Sequence, residues 1–169
     1  PNGYDATTLK AYVGGDDMGT YSETNSNILQ GEDAPMFFQT YAEVEFMLAE
    51  SAVRWGLAGD DAASHYNAGV TAAMKYLELY SPDAAISDAE ISDYLIANPY
   101  DSANALEQIN TQYWAAVFLN EYEAYANWRR TGFPALTPVN YLGNVTNGTI
   151  PRRLTYFTDE AVTNTGNYN

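Results

Sequence analysis

Hydrophobic positions recur with a helical period through the middle of the chain and lose it at both ends. In "TYAEVEFMLAESAVRWG" (Thr40–Gly56), Tyr41, Val44, Leu48, Ala52 and Trp55 fall on one helical stripe. Glu43, Glu45 and Glu50 lie mostly off it, and Glu43 and Glu50 read as solvated or arginine-paired groups. Gly56 and Gly59 stop this first helix. A second helix follows in "DDAASHYNAGVTAAMKYLELY", capped by Asp60 or Asp61, with Ala62, Tyr66, Val70, Ala73 and Leu77 on its apolar face. Its dense Ala and Gly let a partner approach closely, and the short connection predicts an antiparallel hairpin.

Ser87 and Glu90 have the spacing of a capping box and open a short helix ending near Ala97, before Asn98-Pro99. A fourth helix carries Leu106, Ile109, Tyr113 and Val117 at helical spacing. Asn120 serves as turn and cap, and "EYEAYANWRRTG" forms a fifth helix bearing Tyr122, Tyr125 and Trp128. Trp114 and Trp128 are expected to fill the core of this last hairpin. The predicted fold is mostly α: tetratricopeptide-like helical hairpins with irregular loops and an extended C-terminal segment. The second hairpin starts about 60 residues after the first, so a strict repeat of about 34 residues is absent. The organisation expected is an irregular segment over 1–35, a helical scaffold over 36–132 and an extended closing segment over 133–169, all in one domain.

Charge singles out four residues. Only seven residues are basic against 22 acidic ones, and four of the seven form the pairs Arg129-Arg130 and Arg152-Arg153. Arg129 and Arg130 fall in the last turn of the fifth helix, where cations stabilise the exposed carbonyl dipoles by about 0.3–1 kcal/mol each. Gly132 suits the left-handed position after that helix, and Pro134 prevents its resumption. The guanidinium groups can also bridge to carboxylates on neighbouring helices, with Glu121 and Glu123 as candidates. Arg152 and Arg153 are expected to pin the closing segment in the same way. All four read as structural.

The formal net charge of -15 makes nucleic acid an unsuitable partner, since the acidic surface repels phosphate. No apolar run reaches the length of about 20 residues that a membrane helix needs. There is no cysteine, hence no disulfide and no thiolate metal site. The chain opens "PNGYD" without Met, which suggests a processed chain or a fragment. Fifteen tyrosines combine apolar faces with polar tips, as packing residues or as surfaces for sugar rings.

The blocks "TYAEVEFMLAESAVRWG", "HYNAGVTAAM", "LEQINTQYWAAVFLNEYEAYANWRRTGFP" and "IPRRLTYFTDEAVTN" occur in that order. Together they resemble the C-terminal part of the SusD/RagB family of outer-membrane glycan-binding lipoproteins, SusD-like branch, over about residues 35–164. Tyr113 stands where the family usually has Lys, Tyr125 where it has Trp and Thr158 where it has Pro, and Asn120-Glu121 lacks a Gly often found there. The resemblance implies a surface protein that captures oligosaccharides or related nutrients and delivers them to a SusC-like TonB-dependent transporter. It implies binding without cleavage, no cofactor, and membrane association through a lipid anchor on an upstream Cys that this chain does not contain. It also implies a longer protein, of which this is the C-terminal portion. The alternative is a helical-repeat interaction module without glycan affinity.

Other chemistries find little support. A glycosidase needs two carboxylates facing each other across the sugar. Asp16-Asp17 and Asp60-Asp61 are adjacent, which points their side chains apart. His65 is the only histidine and no Ser-His-Asp arrangement forms around it. "GGDDMGTYSETNSN" is rich in oxygen ligands but lacks the spacing of a calcium loop, and no phosphate loop is present. The expected glycan contacts are Tyr12 and Tyr21 with Asp16 and Asp17, which supply stacking faces beside hydrogen-bond acceptors in a segment without helical period.

Overall fold

The computed structural model describes residues 24–29, 31–57, 59, 61–138, 146, 148–153, 156–157 and 159–167. Among them are seven α-helices and no strand, so the mostly-α expectation holds. They are α1 (Ser26–Leu29), α2 (Tyr41–Trp55), α3 (Ala62–Lys75), α4 (Asp88–Ala97), α5 (Ala105–Ala116), α6 (Glu121–Thr131) and α7 (Glu160–Thr163). Two 3-10 turns, Tyr76–Leu79 and Pro82–Ala84, connect α3 to α4. The chain divides into two compact units, Glu23–Leu136 and a second one made of Pro1–Ser22 with Thr137–Asn169. Helices α1 to α6 belong to the first unit. The second contains α7, a single helical turn within the stretch expected to be extended.

The helix ends follow local chemistry. Thr40 and Glu43 form a reciprocal capping box at the start of α2: the Glu43 amide donates to Thr40 Oγ1 at 3.3 Å, and the Thr40 amide donates to Glu43 Oε1 at 2.7 Å. The box expected from Ser87 and Glu90 opens α4. Asp61 caps α3, accepting from the Ser64 amide at 3.0 Å. Asn120 caps α6 through its side-chain oxygen, which accepts from the Glu123 amide at 3.3 Å. Gly132 ends α6 with φ of 80°, a conformation that costs a residue without Cβ nothing.

Packing centres on α2, which lies against both α3 and α5. Phe46 in α2 meets Tyr66 and Gly69 of α3, and also Tyr113 of α5. The early residue Glu43 faces the late residue Tyr113, so α2 and α5 run antiparallel. Helix α6 turns back along α5, bringing Asn127 to Asn110 and Glu123 to Tyr113. The core comprises Phe46, Tyr66, Val70, Ile109, Tyr113 and Val117, with Ala42, Ala49, Ala105 and Ala116 where backbones approach. The close approach is tightest at Gly69: a Cβ there would lie 2.7 Å from the Phe46 ring.

The predicted faces of α3 and α5 are the observed ones: Tyr66, Val70, Ile109, Tyr113 and Val117 are buried. Of the predicted face of α2, only Ala52 is buried and Leu48 partly so. Tyr41, Val44 and Trp55 are exposed, and the buried face carries Ala42, Glu43, Glu45, Phe46, Ala49, Glu50 and Ala52. Three carboxylates thus lie on the inner side of the helix, each with partners supplied by the fold. The expected core role of Trp114 also fails: it is 41% exposed, because its neighbour Tyr113 takes the inward position. Trp128 is half-buried and stacks on Tyr125, with ring centroids 6.4 Å apart and planes 17° apart.

Candidate functional site

Among the described residues, three polar constellations tie α2 to its neighbours. The first joins α2, α5 and α6. Arg130 grips Glu50 bidentately, with Nη1 donating to Oε1 at 2.5 Å and Nη2 to Oε2 at 2.7 Å. Nη2 also donates to Asn127 Oδ1 at 2.7 Å and lies 3.4 Å from Asn110 Oδ1. Asn127 Nδ2 donates to Asn110 Oδ1 at 3.2 Å, and Asn110 Nδ2 to the Leu106 carbonyl at 2.8 Å. One turn along α2, Arg54 Nε donates to Glu50 Oε1 at 2.5 Å. Burial alone would raise the Glu50 carboxyl, but Arg130 and Arg54 outweigh it and hold the group below its usual range. Arg130 is correspondingly raised by the hydrogen bonds to Glu50.

This constellation answers why basic residues cluster at the end of α6. Arg130 ties that helix to a carboxylate 80 positions earlier in the chain. The expected carboxylate partners were Glu121 and Glu123, but the fold directs Arg130 to Glu50 and gives Glu123 to Tyr113. Arg129 lies over the Tyr125 ring, 5.6 Å from its centroid, and Arg153 over Tyr156 at 4.9 Å. Arg152 is exposed.

The second constellation surrounds Tyr113, whose hydroxyl donates to Glu123 Oε1 at 2.7 Å and lies 3.5 Å from Glu43 Oε2. Burial, and then the carboxylate of Glu123, push the phenol far above its ordinary value. A phenol therefore presents one proton between two carboxylates, at the position where the resemblance leads one to expect Lys. The third joins α2 to α3: His65 Nδ1 and Glu45 Oε2 are 2.7 Å apart. Burial raises Glu45, yet the Tyr41 hydroxyl and the His65 ring together lower it overall. Each constellation engages its carboxylates within the fold, as a scaffold requires.

The expected glycan contacts Tyr12, Asp16, Asp17 and Tyr21 lie outside the described residues. Among the described residues, no group of three His, Cys, Asp or Glu could hold a metal ion, and no helix is long and apolar enough to cross a membrane. Sequence reasoning allowed Glu43 and Glu50 to be arginine-paired without naming the partner, and the structure pairs Glu50 with Arg130; Asn110 and Asn127 were missed. One signal could have turned the glutamates inward: Glu43 and Glu50 are seven apart, on the same helical face as Phe46 and Ala49.

A family model described as starch-binding and associating with the outer membrane matches residues 2–157. The chain belongs to the SusD-like family. Two solved structures resemble this SusD-like chain. One is of a chitin-binding protein, 43% identical with a TM-score of 0.69, covering 80% of this chain and 30% of that one. The other is of a Bacteroidetes SusD-like protein, 37% identical with a TM-score of 0.67, covering 80% of this chain and 27% of its own. The SusD-like chain thus spans less than a third of the length of either structure. No curated protein matches it.

Proposed function

We propose that this protein captures oligosaccharides at the outer surface of a bacterial outer membrane and delivers them to a SusC-like TonB-dependent transporter. It binds its ligand without cleaving it and is held to the membrane by a lipid anchor. The observation that carries this reading is the match to the SusD-like family over residues 2–157. The 43% identity to a chitin-binding protein favours a glycan among the possible nutrients. The helical unit is consistent with such a role because its buried charges are matched internally, which suits a rigid support for ligand-binding loops.

The proposed contacts are Tyr12 and Tyr21, stacking on sugar faces, with Asp16 and Asp17 accepting hydrogen bonds from hydroxyls. One stacking contact contributes on the order of 1 kcal/mol. A single site of this kind binds in the millimolar range, about 4 kcal/mol. Calorimetric titration with chito- and malto-oligosaccharides tests the reading. The parent should bind at least one series, and Tyr12→Ala or Tyr21→Ala should weaken it roughly fivefold, the equivalent of about 1 kcal/mol. Parent-like affinity in both variants would move the site elsewhere, and release of reducing ends would overturn the assignment as a binding protein.

A further inference from the structure

Two hollows on helix α3 meet at Thr71, which lines both. The first, about 490 Å³, is lined by Tyr41 of α2, by Ala68, Ala72 and Lys75 of α3, and by Glu78. The second, about 420 Å³, lies between α3 and α4 and is lined by Asn67, Asp88, Ile91, Ser92 and Tyr100 among others. Asn67, Thr71 and Lys75 follow one another at intervals of four and so form one stripe along α3. An ion pair links the two hollows: Lys75 Nζ and Asp88 Oδ1 are 2.7 Å apart, with side chains 49% and 85% exposed.

The chemistry of the walls selects the occupant. A pyranose has apolar C–H faces and a rim of hydroxyls, so it needs an aromatic face beside a few converging polar groups. Tyr41 is 65% exposed, yet its hydroxyl is hydrogen-bonded to Glu45 one turn along α2. That bond orients the ring in advance, so little freedom is lost when a sugar stacks on it. Ala68 and Ala72 carry only methyl groups and leave room beside the ring. In the second hollow, Tyr100 is backed by the buried Tyr66, with ring centroids 5.5 Å apart. Asn67, Asp88 and Ser92 are exposed, and together with Lys75 they offer both donors and acceptors. An exposed ion pair adds little to stability, so Lys75 and Asp88 can exchange water for sugar hydroxyls at small cost. Both volumes fall in the range of about 300–1,000 Å³ usual for small-molecule sites. Two joined hollows with a tyrosine in each suit linked sugar units.

We infer that the joined hollows on α3 are a further glycan contact, which holds two linked units of an oligosaccharide, one over Tyr41 and one against Tyr100. Lys75, Asp88, Asn67 and Ser92 bind the hydroxyls between them. This contact rests on the glycan-binding reading above and adds to Tyr12 and Tyr21. Two-dimensional ¹⁵N NMR of the whole protein, titrated with maltohexaose and with chitohexaose, tests it residue by residue. The expected result is saturable shifts of the Asn67 side-chain amide and of the Thr71 and Ser92 backbone amides with one of the two sugars. Tyr41→Ala, at an exposed position, should weaken the binding read at these signals roughly fivefold. Asp93→Ala, on α4 outside the hollows, should leave it unchanged, and circular dichroism confirms that both variants fold. Shifts that spare these three residues would overturn the inference while leaving the glycan-binding reading standing, and so would groove signals that titrate identically in Tyr41→Ala. No shift anywhere with either sugar would overturn both.

Discussion

Replacing Arg130 by Ala measures how much of the helical unit depends on the link between α2 and α6. The substitution removes the contacts to Glu50 at 2.5 and 2.7 Å and the donor to Asn127 Oδ1 at 2.7 Å. Glu50 keeps Arg54 at 2.5 Å, so its charge is not stranded. The Arg130 side chain is 50% exposed while that of Glu50 is 7% exposed, so water screens one end of the pair and not the other. Leaving a buried charge wholly unpaired costs about 3–5 kcal/mol. With Arg54 retained and one end screened, a loss of about 2–3 kcal/mol is expected, the scale of charge-assisted hydrogen bonds. For a chain of this size that is a drop in Tm of roughly 4–12 °C. Arg129 is the internal comparison, since it shares the helix end but contacts the Tyr125 ring. Arg129→Ala should cost about 1 kcal/mol or less. Thermal and denaturant unfolding followed by far-UV circular dichroism reads both, and a double-mutant cycle with Glu50→Gln should show coupling above about 1 kcal/mol. An Arg129→Ala variant as destabilised as Arg130→Ala, or a cycle without coupling, would refute the reasoning.

Three further outcomes follow from the same geometry. Glu50 and Glu45 are both held below the ordinary value of 4.5, so their stabilisation is fully present above that pH and lost as pH falls through their lower folded values. Urea unfolding across that range should show a decline on the acid side that is shallower in Glu50→Gln. Gly69→Ala should destabilise by about 1–3 kcal/mol although Ala favours helix by about 1 kcal/mol, because the added Cβ meets the buried Phe46 ring at 2.7 Å. Unfolding at or above parental stability would show that the ring can yield. Leu119→Gly relieves a left-handed leucine and should leave stability unchanged or raise it by up to about 1 kcal/mol. A clear loss would mean that Leu119 is packed in this unit rather than presented at its surface.

Much of the scaffold was legible in local chemistry. The Ser87–Glu90 capping box, the faces of α3 and α5 and the stop at Gly132 each follow from residues within a turn or two of one another. Helix α2 was misread because its outward positions carry Tyr41, Val44 and Trp55, while its inward ones include three glutamates. Hydrophobic periodicity assigns carboxylates to solvent, and only partners distant in sequence reverse that assignment: Tyr113 for Glu43, His65 for Glu45, Arg130 for Glu50. The same limit explains Arg130. Its position in the last turn and a bridge to a neighbouring helix were legible, but the candidates Glu121 and Glu123 were not the carboxylate it meets, which lies 80 residues upstream. Trp114 was expected in the core of the last hairpin, whereas the adjacent Tyr113 occupies the inner face and satisfies its hydroxyl there. Ordered family blocks carried the functional reading further than any single residue did.

Affinity electrophoresis tests the central claim most directly. The protein is run through native gels containing soluble starch or glycol chitin, beside a protein of similar charge that has no glycan affinity. Capture without turnover predicts retarded migration in at least one polysaccharide, in proportion to its concentration, with the recovered polymer unchanged in length. Migration indistinguishable from the control in both gels, or shortening of the polymer, would contradict the account.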